Sequence, residues 1–112
     1  KDKANVLELG NIDVYREYNS IYFICECYYK LAISDFKSEI VNLCSGKTYS
    51  LNEILKICSE ISNHSLEVKI NPNFVRSNEI YKLFGSTEKL YNMVNLRNDY
   101  SIEDTLKFFL TN

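Results

Sequence analysis

The sequence predicts an α+β fold: one small single domain over residues 1–112, built of three main helices and short strands. Three observations carry this. Apolar residues recur with a helical period after Ser20, Ser50 and Ser101. Two of those starts have capping-box spacing, Ser50-x-x-Glu53 and Ser101-x-x-Asp104, in which the serine and the acid each satisfy a backbone N–H left over at a helix start. Leu66, Val68 and Ile70 alternate with Glu67 and Lys69, the pattern of a half-buried strand.

The elements follow in order. Val6–Leu9 and Val14–Tyr18 read as short strands around a Gly10-Asn11 turn. Ile21, Ile24, Cys25, Tyr28, Leu31 and Ala32 share one helical face, with Asn19 or Ser20 as the cap, and the helix ends near Ile33. Glu39 to Cys44 carries few charges and reads as a strand covered on both sides. A turn at Ser45-Gly46-Lys47 then leads into a helix after Ser50, with Leu51, Ile54, Leu55, Cys58 and Ile61 on its apolar side. Pro72 stops the strand that begins at Leu66. Asn73 to Phe84 is irregular, and Ser86 is placed to cap a short helix reaching about Tyr91. The last helix is expected to bury Ile102, Leu106, Phe109 and Leu110.

Composition narrows the function classes. The chain is 46% hydrophobic and 25% charged, ordinary globular usage. Its net charge is −2, with acids and bases well mixed, so no basic stripe marks a nucleic-acid partner. No apolar run is long enough for a membrane-spanning helix. Lys1-Asp2-Lys3 leads into no secretory core, and a start at Lys fits a fragment or trimmed chain. Of the four cysteines, Cys25, Cys27, Cys44 and Cys58, no two make a C-x-x-C pair. They read as reduced, buried small hydrophobes in a cytoplasmic protein, and no metal site is expected.

The stretch Ser45-Gly46-Lys47-Thr48 resembles the end of a phosphate-binding loop. That loop needs a glycine five residues before Gly46, where the backbone wraps the phosphates, and Val41 stands there. The stretch is therefore a tight turn before a helix.

Four blocks in order carry a resemblance: LGNIDVYREYNSIYFI (Leu9 to Ile24), IVNLCSGKTYSLNEIL (Ile40 to Leu55), RSNEI (Arg76 to Ile80) and GSTEKL (Gly85 to Leu90). Together they resemble the C-terminal substrate-binding part of the NAD-dependent epimerase/dehydratase family, the extended short-chain dehydrogenases/reductases. The nearest branch is the GDP-4-keto-6-deoxymannose reductases. The resemblance runs from about Val6 to Phe108, and the block around Ser45-Gly46 is its strongest part.

This resemblance implies a division of labour. In such enzymes an N-terminal Rossmann half binds NAD(P) and carries a catalytic Tyr-x-x-x-Lys pair, and the C-terminal lobe grips a nucleotide-sugar, here a GDP-sugar by branch. With only Gly10, Gly46 and Gly85, this chain cannot write a dinucleotide fingerprint, and none of its nine tyrosines has a lysine four residues later. The chain alone is thus expected to have no catalytic residues, to bind no cofactor and to be inactive. Its partners would be the nucleotide-sugar, the missing Rossmann half and, through apolar surface left uncovered, a second copy of itself.

By the same resemblance Arg16 and Arg76 are substrate-pyrophosphate ligands, Glu79 accepts from ribose hydroxyls, and Asn11 lines the site. A guanidinium fork suits phosphate oxygens. Read from the residues alone, the two arginines fit a solvated surface equally well, and Glu79 fits a local pair with Lys82. Ser20 and Phe23 stand where the family usually has aspartates, Ser86 replaces another, and Ser77 replaces a proline. Such losses leave open a second reading, a non-catalytic interaction module that keeps the lobe's fold.

Overall fold

The computed structural model describes residues 5–96 and 98–111; the Lys1-Asp2-Lys3 start lies outside them. The α+β reading holds. In chain order the elements are β1 (Val6–Leu9), β2 (Tyr15–Arg16), α1 (Ile21–Ala32), β3 (Tyr49–Ser50), α2 (Leu51–Ser62) and β4 (Glu67–Ile70). A single 3-10 turn (Pro72–Phe74), α3 (Glu88–Met93) and α4 (Ile102–Thr111) complete it.

The strands form two separate pairs. β1 lies parallel to β4, with Val6 opposite Glu67 and Leu9 opposite Ile70. β2 lies antiparallel to β3, with Tyr15 opposite Ser50 and Arg16 opposite Tyr49. The second pair sets Arg16 directly beside the start of α2.

Local chemistry fixes the helix ends. Ser20 caps α1 by accepting from the N–H of Tyr22, settling the choice between Asn19 and Ser20. At α2 the full capping box forms: Glu53 N–H donates to Ser50 Oγ at 3.0 Å, and Ser50 N–H donates to Glu53 Oε2 at 2.9 Å. Asn63 closes α2 in the left-handed conformation, φ 53°. Ser101 Oγ accepts from Asp104 N–H at 3.0 Å and starts α4.

Two apolar clusters hold the elements together. Phe23 and Cys27 of α1 pack with Leu90, Val94 and Leu96. Ile54 of α2 packs with Ile102 and Leu106 of α4. Phe23, where the resemblance leads one to expect aspartate, is fully buried, so the apolar residue there serves the core.

Four expectations are corrected. Residues 39–44 form no strand among the described residues, because a strand needs a ladder partner and none of these supplies one. Lys89 Nζ donates to Ile40 O instead, and Cys44 Sγ donates to Ser86 O. The buried face of α1 is Phe23 and Cys27 with Ile24 and Leu31, while Ile21, Cys25, Tyr28 and Ala32 are exposed. That helix is apolar on nearly all sides, so its period alone does not choose a face. Phe109 and Leu110 are exposed beyond the reach of α2. Thr87, without a side-chain capping bond, occupies the cap position of α3 expected for Ser86.

Candidate functional site

The candidate site grows from β2. On one side Tyr15 pairs with β3; on the other it meets an extended strap, residues 79–85. Tyr15 N–H donates to Tyr81 O at 2.8 Å, and Leu83 N–H donates to Tyr15 O at 3.0 Å. The irregular segment read from sequence is thus laid along β2, and Glu79 comes to the side of Arg16.

Arg16 and Glu79 form an ion pair, Nη2 to Oε1 at 3.3 Å. Arg16 Nη1 also donates to Tyr15 O at 2.7 Å, which fixes the plane of the fork. Both side chains are part-buried, 28% and 19% exposed, so the pair is reachable from solvent and only partly screened. Lys82 is not the partner of Glu79; its ammonium sits over the rings of Tyr15 and Phe84.

Arg76 and Asn11 stand differently. Arg76 is exposed in the turn after the 3-10 segment, three positions before Glu79. Asn11 Oδ1 accepts from Asp13 N–H at 2.9 Å, an Asx turn that redirects the chain after β1. Its neighbour Gly10 abuts the Phe74 carbonyl so closely that a Cβ there would collide with backbone.

Glu17 was not among the residues singled out by sequence. Its Oε1 accepts from Ser45 N–H at 2.7 Å and Asn19 Nδ2 at 2.9 Å, and the Ser45 hydroxyl lies 3.1 Å from it. Its Oε2 accepts from Gly85 N–H at 2.7 Å. Burial opposes its charge, and the bonds from Asn19, Gly85 and Ser45 outweigh burial, holding the carboxyl below its ordinary range. Its far partners sit 28 and 68 positions away, beyond any local spacing rule.

Burial raises the thiols of Cys27, Cys44 and Cys58 above their ordinary range, so these three are poor nucleophiles. Among the described residues no group of three or more His, Cys, Asp or Glu is placed to hold a metal ion. No helix among them is long and apolar enough to cross a membrane. An open cleft of about 460 Å³, lined in part by Phe36, Glu39, Lys89 and Met93, includes neither Arg16 nor Glu79.

This fold matches a part of the NAD-dependent epimerases and reductases, and the resemblance read from the sequence holds. The chain is 39% identical over 100 residues to GDP-6-deoxy-D-talose 4-dehydrogenase of Aggregatibacter actinomycetemcomitans, covering 89% of this chain and 33% of that one. It is 26% identical over 109 residues to GDP-6-deoxy-D-mannose reductase of Pseudomonas aeruginosa, covering 97% of this chain and 36% of the relative. Among solved structures, RMD from Pseudomonas aeruginosa, complexed with NADPH, superposes with a TM-score of 0.88 at 25% identity, over 97% of this chain and 36% of that one. A putative epimerase from Burkholderia cenocepacia superposes at 0.86 and 35% identity, over 91% and 34%. No family model matches the chain. The chain therefore spans about a third of the length of these relatives.

The described residues give no glycine-rich turn of the kind that holds a nicotinamide dinucleotide. That group needs a glycine-rich turn between a strand and a helix N-terminus. Here β1 runs through Gly10 into the Asx turn at Asn11–Asp13, and Gly10 is taken up by packing on Phe74.

Proposed function

We propose that residues 1–112 form the nucleotide-sugar-binding lobe of an NAD(P)-dependent sugar-nucleotide epimerase, dehydratase or reductase in the cytoplasm. A GDP-sugar is favoured, because two GDP-sugar enzymes are among its relatives. The lobe supplies binding only. The dinucleotide and the hydride-transfer residues belong to a Rossmann half, without which the lobe is inactive.

The observation that carries this reading is the ion pair between Arg16 and Glu79, drawn together from positions 63 apart. Arg16 takes a substrate phosphate through the N–H groups of its fork, while Glu79 orients it and accepts from a ribose hydroxyl. Arg76 adds a second cation from the neighbouring turn, and Asn11 lines the approach. Apolar side chains left exposed, Ile33, Phe36 and Ile40 among them, are the surface on which the Rossmann half docks.

The test is titration with GDP of the protein at its natural full length. Losing a charged hydrogen-bond partner costs about 1.5–3 kcal/mol, so Arg16→Ala and Arg76→Ala should each weaken binding by roughly tenfold or more. Unchanged affinity in both variants removes the site. The complete reading frame should also hold a glycine-rich turn after a strand and a Tyr-x-x-x-Lys pair. If it holds neither, the interaction-module reading replaces the enzyme.

A further inference from the structure

The strap along β2 is tied at four points, one of which the substrate reading leaves without a role. Glu79 pairs with Arg16 at the strap's near end. Tyr81 and Leu83 exchange backbone hydrogen bonds with Tyr15 in its middle. At its far end the Gly85 N–H donates to Glu17. The same carboxylate holds the Ser45 backbone N–H, and the Ser45 hydroxyl, with one hydrogen to give, lies 3.1 Å from Glu17 Oε1 and 2.7 Å from Asn19 Oδ1.

Glu17 thus ties three separate segments together: the end of β2, the turn at Ser45-Gly46 and the strap's last residue. The joint is closely packed. A Cβ added at Gly85 would lie 2.6 Å from Cys44 Sγ, so the strap's end sits directly on the residue before Ser45. Ser45 N–H, Asn19 Nδ2 and Gly85 N–H all donate to Glu17, and a carboxylate is a side chain that can accept from all three at once.

We infer that Glu17 is a positioning residue for anion binding: by clamping strap and turn to β2, it sets Arg16 and Glu79 in the geometry that receives a phosphate. The inference rests on the nucleotide-sugar reading above. Glu17 touches no substrate in this scheme; it acts through Arg16, its chain neighbour, and through the strap that carries Glu79. A fork that must meet phosphate oxygens tolerates about 0.5 Å of misplacement, so a loosened strap weakens binding without removing a ligand.

The experiment is a double-mutant cycle on GDP affinity in the full-length protein. Glu17→Gln keeps the size and turns one acceptor into a donor facing an N–H. It should weaken GDP binding about three- to tenfold in the native background, and by a clearly smaller factor in the Arg16→Ala background, where only the part carried by Glu79 is left. A merely structural role gives the same factor in both backgrounds, and that result overturns the inference. So does an unchanged affinity in Glu17→Gln. Should Glu17→Gln fail to fold, Ser45→Ala removes the hydroxyl from the clamp and leaves the backbone bond. It should show the same background-dependent loss, smaller in size, and equal factors in both backgrounds overturn the inference. If Arg16→Ala itself leaves GDP affinity unchanged, the underlying reading fails, an outcome distinct from an additive Glu17 effect.

Discussion

Phe23 of α1 and Leu90 of α3, both fully buried, pack in one cluster, and the contact joins the first helix to a helix more than sixty positions later. It shows how the chain fills a position where the family resemblance leads one to expect a carboxylate. Around Phe23 lie Cys27, Val94 and Leu96, with no ion partner among these core residues.

Restoring that carboxylate should be harmful. Phe23→Asp places a charge in an apolar cluster, and Phe23→Ala leaves a cavity there. The alanine variant should lose about 3–5 kcal/mol of stability, and the aspartate variant at least as much. Urea unfolding followed by circular dichroism measures both. An aspartate variant as stable as the parent would mean that this helix face is not core.

The Arg16–Glu79 pair is expected to matter little for stability. Both side chains are partly exposed, and such pairs contribute about 0–1 kcal/mol. Glu79→Gln should therefore leave the thermal midpoint within a few degrees while weakening GDP binding several-fold. A variant that lost stability but bound GDP normally would assign the pair to structure alone.

The Glu17 clamp predicts a definite pH response. Burial acts against the charge, and the hydrogen bonds from Asn19, Gly85 and Ser45 more than offset it, so the folded carboxyl titrates below its ordinary 4.5. A group lowered on folding contributes stability above its unfolded pKa, and that contribution fades as pH falls through the folded one. The difference in thermal midpoint between the protein and Glu17→Gln should hold steady from about pH 7 to pH 5 and close below about pH 4.5. A difference that grows on acidification would reverse the sign and refute the clamp.

The capping box offers a local check. Ser50→Ala removes the acceptor for Glu53 N–H and leaves Glu53 bonded to the backbone of residue 50. The expected loss is about 0.5–2 kcal/mol, read from denaturant unfolding. Because Ser50 also sits opposite Tyr15 in the short ladder, GDP affinity in the same variant reports whether the start of α2 matters to Arg16.

The terminal chemistry of the elements was legible in the sequence. The start of α2 follows from Ser50 and Glu53, the start of α4 from Ser101 and Asp104, and the end of β4 from Pro72. These signals are local, and local hydrogen bonds decide them. What depended on distant partners was not legible. Residues 39–44 look like a strand by composition but have no ladder among the described residues. The face of α1 was misassigned because apolar residues surround it and only Leu90, Val94 and Leu96 select Phe23 and Cys27. Arg16 and Glu79 were singled out by resemblance, whereas their meeting depends on the strap's register beside Tyr15. Glu17 has no motif of its own, and apart from Asn19 its donors come from two far segments.

The parallel pairing of Val6–Leu9 with Glu67–Ile70 has a consequence for biosynthesis. A ribosome releases the earlier strand long before its mate exists, and at about 5–20 residues per second the delay amounts to several seconds. Still later come residues 79–85, so Arg16 meets Glu79 only after both strands of the parallel pair have been made. Until then any chaperone holding the early strand would meet a segment whose Arg16 still lacks the Glu79 carboxylate.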